Sequence, residues 1–344
     1  MHTFQRYRTL QTDRITALPI VILMPHRACN WKCVMCDIWK GNHDLRQLKE
    51  QDIEALLISL RRLGTQQVLM SGGEALLNPN FFRFCTILRQ EKIRITLLST
   101  GLLLARHADK LLELVDDVIV SLDGDQALHD KIRNIPGAFQ KMKDSVALLH
   151  TRRRDYRITC RTVIHRLNFR SWPAIIRAAV DMGLQQISFL PADVTSEAFN
   201  RTNAWDEPRQ FEILLSKEEL PELQDMIETV IREFKPLFDS GFIAESPAKL
   251  AKIGEYYRAS HGLNPYPYKK CNAPWVSTVV EADGTVRPCF FLPPMGNIHE
   301  RPLDEILNDP ASIDFRKSLD MDKNETCIRC VCYLNLQPRY KLND

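Results

Sequence analysis

The chain of 344 residues is 44% hydrophobic and 26% charged, a composition typical of a globular protein large enough for two cores. Its formal net charge of +3 is too small to predict a nucleic-acid or membrane surface. The apolar run at residues 20–24 has only the length of a strand, so we predict no signal peptide, no membrane span and a cytoplasmic location. In that setting the ten cysteines favour metal binding over disulfides.

Short apolar runs alternate with amphipathic segments from residue 20 onward. Strands that alternate with helices in this way form parallel βα units, so the pattern predicts an α/β fold with a partial (β/α)6 TIM-like barrel, followed by a small α+β cysteine-rich domain. Strands are expected at residues 20–24, 67–70, 93–99, 118–122, 157–164 and 186–190. Helices are expected at residues 50–63, 81–88, 105–115, 138–150, 172–182, 216–238 and 248–260.

The expected strands end in segments whose residue types are chemically suggestive. Because reactive groups of such barrels lie at the carboxyl ends of the strands, we expect these segments to meet on one rim. They are the cysteine loop 29–36, Gly72-Gly73-Glu74, Thr100-Gly101, Asp123-Gly124 and Pro191-Ala192-Asp193. The polar stretch at residues 195–209 is expected to form a loop over the barrel mouth.

Three cysteines, Cys29, Cys33 and Cys36, stand within eight residues in a C-x3-C-x2-C pattern. They are too close together for disulfides to explain all of them, and thiolates that converge from one loop suit a soft metal or an iron–sulfur cluster. Three thiolates are one short of the four that an iron–sulfur cube takes, so one iron would stay open. A zinc loop completed by His26 or His43 is the alternative.

The other cysteines divide into a second ligand group and two structural residues. Cys85 shares an apolar stripe with neighbours at helical spacing, and Cys160 stands alone in a strand, so both are expected to be buried and inert. The second group consists of Cys271, Cys289, Cys327, Cys330 and Cys332.

The cysteine loop after the first strand and the Gly-Gly-Glu turn after the second together resemble the radical S-adenosylmethionine (radical SAM) superfamily. Met35 stands where the family usually has an aromatic residue, and Ala75 where it usually has a proline. The resemblance implies a [4Fe-4S] cluster whose open iron binds the amino and carboxylate groups of S-adenosylmethionine. Reductive cleavage then gives a 5′-deoxyadenosyl radical that abstracts a substrate hydrogen, with electrons from a reductant such as flavodoxin or ferredoxin.

The same resemblance implies a set of cofactor contacts. Glycine backbone at the second strand can approach the cofactor amino group, and Glu74 can accept from its ammonium. Asp123 has a helix cap as an equally good interpretation, and Arg133 a surface salt bridge. The implied contacts are Gly72, Gly73, Glu74, Thr100, Ser121, Asp123, Arg133 and, for cofactor or substrate, Arg161.

The C-terminal cysteines resemble the SPASM or twitch extension of this superfamily. Cys271 and Cys289 flank a predicted β-hairpin that turns at Gly284. The full extension has seven cysteines and two clusters, whereas five are present here. We therefore expect one auxiliary [4Fe-4S] cluster on Cys271, Cys289, Cys327 and Cys330, with Cys332 as an alternative ligand and a structural zinc site as the alternative interpretation.

These features predict an N-terminal extension at residues 1–17, a radical SAM core at 18–240 and an auxiliary-cluster domain at 241–344. The barrel starts near residue 20 and leaves no room for a leader-peptide-binding domain, which favours oxidation or rearrangement of a small metabolite such as a sugar, an aminocyclitol or a lipid-linked molecule. The alternatives are a maturase for a ribosomally made peptide and a non-enzymatic iron–sulfur carrier. Candidates for a catalytic base are Asp193, Glu197, Asp206 and His26.

Overall fold

A computed structural model describes residues 2–201 and 203–340 and contains the six predicted parallel strands in the predicted order. The strands are β1 Ile20–Leu23, β2 Gln67–Met70, β3 Arg94–Ser99, β4 Asp117–Ser121, β5 Arg157–Ile164, β6 Ile187–Pro191, β7 Ser277–Val280, β8 Thr285–Arg287 and β9 Gly296–Asn297. The first six strands, with helices between them, form the predicted partial (β/α)6 barrel.

The helices begin and end close to the predicted positions. The α-helices are α1 His2–Thr12, α2 Glu50–Arg62, α3 Phe81–Gln90, α4 Ala108–Leu114, α5 Gln126–Arg133, α6 Ala138–Arg152, α7 Trp172–Asp181, α8 Glu207–Ile213, α9 Leu220–Glu233, α10 Lys235–Asp239, α11 Pro247–Ser260, α12 Ala273–Val276, α13 Leu303–Leu307, α14 Pro310–Ser318 and α15 Glu325–Arg329. Short 3-10 helices cover Ile38–His43, Ala75–Leu77, Ala105–His107, Phe169–Ser171 and Lys217–Glu219. No helix within the described ranges is long and apolar enough to cross a membrane.

Several elements differ from the sequence-based expectation. The N-terminal extension contains α1, and the predicted helix at 216–238 is divided into a 3-10 turn, α9 and α10. Pro236 accounts for the last division, because proline is accommodated in the first turn of a new helix and not in the interior of an existing one. The predicted loop at 195–209 ends inside α8, whose N-cap is the carboxylate of Asp206.

All nine strands belong to one sheet with the order β6-β5-β4-β3-β2-β1-β7-β8-β9. The predicted C-terminal hairpin is present, and its first strand, β7, pairs in parallel with β1. The turn between β7 and β8 contains Gly284 at φ +83°, a conformation that favours glycine. The cysteine-rich region is therefore continuous with the barrel sheet at β1, which the sequence did not predict.

Alternation along the strands separates a helix-covered face from the barrel interior. In β4, Val118 and Val120 are fully buried, whereas Ile119 and Ser121 are half-buried. Ser121 pairs in register with Arg161 of β5, which is also half-buried. The predicted structural cysteines, Cys85 and Cys160, are both buried.

Two adjacent tyrosines fasten α11 to the carboxyl ends of β5 and β6. The Tyr257 hydroxyl donates to the Ile164 carbonyl oxygen at 2.5 Å and accepts from the Ala192 N–H at 3.1 Å. The Tyr256 hydroxyl donates to the Ala192 carbonyl oxygen at 3.1 Å. Both rings are buried, so α11 is held over the rim where the site lies.

Replacing Tyr257 by Phe should lower the free energy of unfolding by about 1–3 kcal/mol, because two buried backbone groups lose their partner. Tyr268→Phe is the matched control, since that side chain is 65% exposed, and should change stability by less than about 0.5 kcal/mol. Urea denaturation of the reconstituted protein measures both. Equal midpoints for the two variants would contradict this role of Tyr257.

Candidate active site

The three cysteines of the first motif lie in one loop after β1. Cys33 is buried, and Cys29 and Cys36 are half-buried. The Ile38 N–H points at Cys36 Sγ at 3.5 Å, and Arg133 Nη1 points at Cys33 Sγ at 3.4 Å. Donors aimed at sulfur suit thiolates, so these residues fit a group that binds thiolates.

The charge state of these thiols depends on what they bind. Burial raises the pKa of the Cys36 thiol to about 12 and also raises that of Cys33, and Arg133 opposes the rise at Cys33. Metal coordination would reverse this, because a coordinating thiol is deprotonated. No three Cys, His, Asp or Glu side chains in the described part of the chain converge on a single ion. A cubane cluster does not require the thiolates to converge on one ion, because each thiolate binds a different iron of the cluster.

The cysteine loop is joined to the C-terminal end of α5. The Lys32 and Val34 N–H groups donate to the carbonyl oxygens of Arg133 and Ile132, at 3.4 and 3.0 Å. These carbonyls have no partner within the helix, so the loop satisfies them. Asn134 then ends the helix in the left-handed conformation, at φ 54°.

Arg133 lies at the centre of a buried ionic contact. Its guanidinium pairs with the Asp123 carboxylate and lies 4.6 Å from the centre of the Trp31 ring. The Asp123 side chain is fully buried, and burial raises its pKa although Arg133 opposes the rise. The surface salt bridge proposed for Arg133 is therefore wrong. The helix cap proposed for Asp123 is also wrong, because Asp125 caps α5.

The Gly-Gly-Glu turn packs directly against the cysteine loop. A Cβ atom on Gly73 would lie 2.1 Å from the Ala28 carbonyl oxygen, so only glycine fits there. The Glu74 carboxylate is fully buried and accepts from Leu76 N–H at 3.2 Å and, at Thr100, from the N–H at 2.8 Å and the hydroxyl at 2.6 Å. Oε2 also accepts from the Ser99 hydroxyl at 3.0 Å, whereas Oε1 accepts a single bond, so the expected contact of Glu74 with a cofactor ammonium stays a prediction.

The polar segment after β6 covers the cysteine loop. The side-chain amide of Asn200 donates to the Ile38 carbonyl oxygen at 2.9 Å, and Trp205 Nε1 donates to the Asp37 carboxylate at 2.6 Å. Arg209 contacts the Val34 carbonyl oxygen. The predicted loop over the barrel mouth is thus present, but neither Asp37 nor Trp205 was predicted. No motif marks these residues, because they are paired only by the fold.

The proposed catalytic bases have other partners. Asp193 is buried and forms an ion pair with Arg201 at 2.8 Å. Glu197 is exposed, and Asp206 caps α8. His26 is buried, accepts from the Ala28 N–H at 2.9 Å through Nδ1, and burial lowers its pKa. These contacts therefore give no support to any of the four as the catalytic base.

The five C-terminal cysteines line one cavity of about 350 Å3. Cys332 is exposed and the other four are half-buried. Lys269 Nζ donates to the Ile328 carbonyl oxygen at 2.8 Å and contacts that of Cys330, which fastens the last cysteine run to the cavity. Burial raises the pKa of Cys289 to about 12 and that of Cys327 to about 11. This donor set and cavity fit a thiolate-bound cluster.

Comparison with known proteins identifies two domains in the chain. The radical SAM superfamily model matches residues 23–179, and the SPASM iron–sulfur cluster-binding domain matches residues 271–331. Two proteins of Methanosarcina barkeri (strain Fusaro / DSM 804) are similar over most of their length. Fe-coproporphyrin III synthase is 27% identical over 93% of this chain and 84% of its own, and AdoMet-dependent heme synthase is 24% identical over 86% and 83%.

Two further comparisons extend over nearly the whole chain. The antilisterial bacteriocin subtilosin biosynthesis protein AlbA of Bacillus subtilis (strain 168) is 22% identical over 90% of this chain and 63% of its own. The crystal structure of Streptococcus suis SuiB bound to the precursor peptide SuiA has the same fold, with a TM-score of 0.66 and 14% identity over 94% of this chain and 72% of that chain. The two M. barkeri relatives are named as synthases, so the carrier alternative is not supported. The chain belongs to the radical SAM superfamily and is an enzyme that carries a C-terminal SPASM iron–sulfur cluster-binding domain.

Proposed function

We propose that Cys29, Cys33 and Cys36 hold a [4Fe-4S] cluster with one open iron, and that the enzyme acts on a small carboxylate-bearing molecule of the tetrapyrrole class. When bound, the cluster and S-adenosylmethionine supply a 5′-deoxyadenosyl radical. The observation that carries the chemistry is the close packing of Gly73 on Ala28, which sets the Gly-Gly turn directly beside the cysteine loop.

Different residues of the chain bind the cofactor and position the groups that bind it. We assign the cofactor amino group to the backbone of Gly72 and Gly73, and its ribose or methionine part to Ser121 and the Thr100 segment. Glu74 also fixes the turn, through its hydrogen bonds to Leu76 and Thr100. Arg133 and Asp123 hold Cys33 in place and are not assigned to the cofactor. The cover segment at residues 195–209 limits the access of water to the radical.

We assign the auxiliary [4Fe-4S] cluster to Cys271, Cys289, Cys327 and Cys330. The shared cavity supports one cluster, and burial favours Cys330 over the exposed Cys332 as the fourth ligand. Next to an oxidisable substrate, a second cluster provides an acceptor for the electron that remains after hydrogen abstraction. A flavodoxin or ferredoxin would supply the electron for the first cluster.

The names of two relatives support the substrate class. The M. barkeri proteins are named for the synthesis of Fe-coproporphyrin III and heme, and each is similar to this chain over more than four-fifths of both lengths. The alternative is a peptide maturase, which the name of AlbA supports at lower identity and over 63% of that protein. A tetrapyrrole agrees with the small-metabolite expectation from the sequence.

The ligand assignment predicts iron content. The reconstituted wild-type protein should hold about eight iron atoms per chain, and Cys33→Ala and Cys327→Ala about four each, because each variant loses one cluster. Cys85→Ala removes a buried cysteine of α3 and serves as the control, with iron at the wild-type level. Colorimetric iron and acid-labile sulfide assays measure the content. Full iron in Cys327→Ala, or zinc in place of the second cluster, would contradict the assignment.

The substrate class predicts a response to a tetrapyrrole. Under anaerobic reduction, addition of Fe-coproporphyrin III should raise 5′-deoxyadenosine formation several-fold above the substrate-free rate, because a bound substrate donates the hydrogen atom that converts the 5′-deoxyadenosyl radical to 5′-deoxyadenosine. Chromatography with mass detection follows the nucleoside and the tetrapyrrole. If Fe-coproporphyrin III neither stimulates the reaction, nor changes in mass, nor binds to the reconstituted protein, this class is rejected and the peptide alternative is left.

A further inference from the structure

Arg161 lines a cavity together with Glu245, and its charge opposes the rise that burial causes in the Glu245 pKa, but no carboxylate of the described residues forms a salt bridge with Arg161. Its Nε donates to the Ser188 hydroxyl oxygen at 3.3 Å, and the described residues offer its terminal nitrogens no other hydrogen-bond acceptor. A half-buried guanidinium costs free energy unless an anion compensates its charge. Most of its five N–H donors are thus available to a ligand.

Three lysines lie around the same cavity, which has a volume of about 110 Å3. Lys249 and Lys252 come from α11, and Lys269 comes from the segment that follows it. Glu245 is the one carboxylate among the lining residues, so cations outnumber anions four to one. The volume is enough for several water molecules and hence for one short polar arm of a ligand.

The cationic side chains differ in how far they are already engaged. Lys252 Nζ donates to the Tyr268 carbonyl oxygen at 2.9 Å, and Lys269 fastens the cysteine run as described above. Glu245 is buried and accepts from the Phe189 N–H at 3.0 Å, while Lys249 Nζ lies 3.8 Å from it. Arg161 and Lys249 are therefore the groups with the most capacity left for an incoming anion.

The position of the cavity connects it with both cluster sites. Arg161 is in register with Ser121, which we assign to the cofactor, and the lining of the cavity also includes Cys330 and Cys332 of the auxiliary group. A ligand arm held here would therefore lie between the two sites. The planar fork of arginine matches the two oxygens of a carboxylate, which it can bind through two parallel hydrogen bonds.

We propose that this cavity is a subsite for one carboxylate arm of the substrate, with Arg161 and Lys249 as its cationic partners. The proposal rests on the proposed function in taking the substrate to be a small carboxylate-bearing molecule. It gives the sequence-level candidate Arg161 a substrate contact instead of a cofactor contact.

Binding of Fe-coproporphyrin III and of its methyl ester to the reconstituted protein tests the proposal, with the shift of the Soret band as the readout. The wild type should bind the free acid at least about tenfold more tightly than the ester, and Arg161→Gln should lose that preference. Arg157→Gln is the matched control, because Arg157 lies on the same strand but is exposed, and it should bind as the wild type does. Lys249→Gln, on the exposed side of the cavity, should weaken acid binding several-fold. This variant tests the subsite if Arg161→Gln fails to retain iron.

Equal binding of acid and ester, or acid binding by Arg161→Gln at the wild-type level, would overturn the subsite and leave the proposed function standing. Weaker S-adenosylmethionine binding by Arg161→Gln with unchanged acid binding would assign the guanidinium to the cofactor and also overturn it. If neither tetrapyrrole binds, the proposed substrate class fails. Binding of succinate, a small dicarboxylate, then tests the carboxylate subsite independently of that class. Succinate binding by isothermal titration that depends on Arg161 would sustain the carboxylate subsite, and binding that does not would overturn it.

Discussion

The buried charge of Arg133 is the constraint on which the candidate active site depends. Its guanidinium contacts Asp123 after β4, Cys33 in the cysteine loop and the face of Trp31. Its backbone carbonyl also accepts from Lys32 of the same loop. Removing one partner of such a buried pair leaves an uncompensated charge, at a cost of roughly 3–5 kcal/mol. These contacts therefore fix the cysteine loop, with its three thiols, to the barrel.

A second constraint is the position of β1 between the two parts of the sheet. β1 pairs with β2 on one side and with β7 on the other, and the cysteine loop leaves its carboxyl end. Cys271 precedes β7 and Cys289 follows β8, so the hairpin that they flank connects the auxiliary group to the same strand. The cavity at Arg161, with Cys330 in its wall, lies on the side where α11 covers the ends of β5 and β6. Radical formation, substrate binding and electron removal would then share one rigid framework.

The parts of this architecture that depend on local sequence were predictable. Alternating apolar runs predicted the six parallel strands, and cysteine spacing predicted both groups of candidate ligands. What the sequence did not reveal are pairings between distant segments. The partner of Asp123 is ten residues away at the C-terminal end of α5, that of Asp37 is Trp205, and Glu74 accepts two hydrogen bonds from Thr100. In the sequence, a carboxylate beside a motif resembles a ligand contact, and only the fold shows which protein groups it also binds. The parallel pairing of β7 with β1 was hidden for the same reason, since strand partners are not encoded by strand propensity.

The central claim is that the loop fixed by Arg133 forms a cluster site competent to cleave S-adenosylmethionine. Its most direct test is the yield of 5′-deoxyadenosine from anaerobically reconstituted protein given dithionite and S-adenosylmethionine, for the wild type and for Cys33→Ala. The account predicts formation of the nucleoside by the wild type and none by the variant, because the loss of one thiolate removes the first cluster while the auxiliary cysteines remain. A wild type that holds its full iron and forms no 5′-deoxyadenosine, or a variant that forms as much as the wild type, would contradict it.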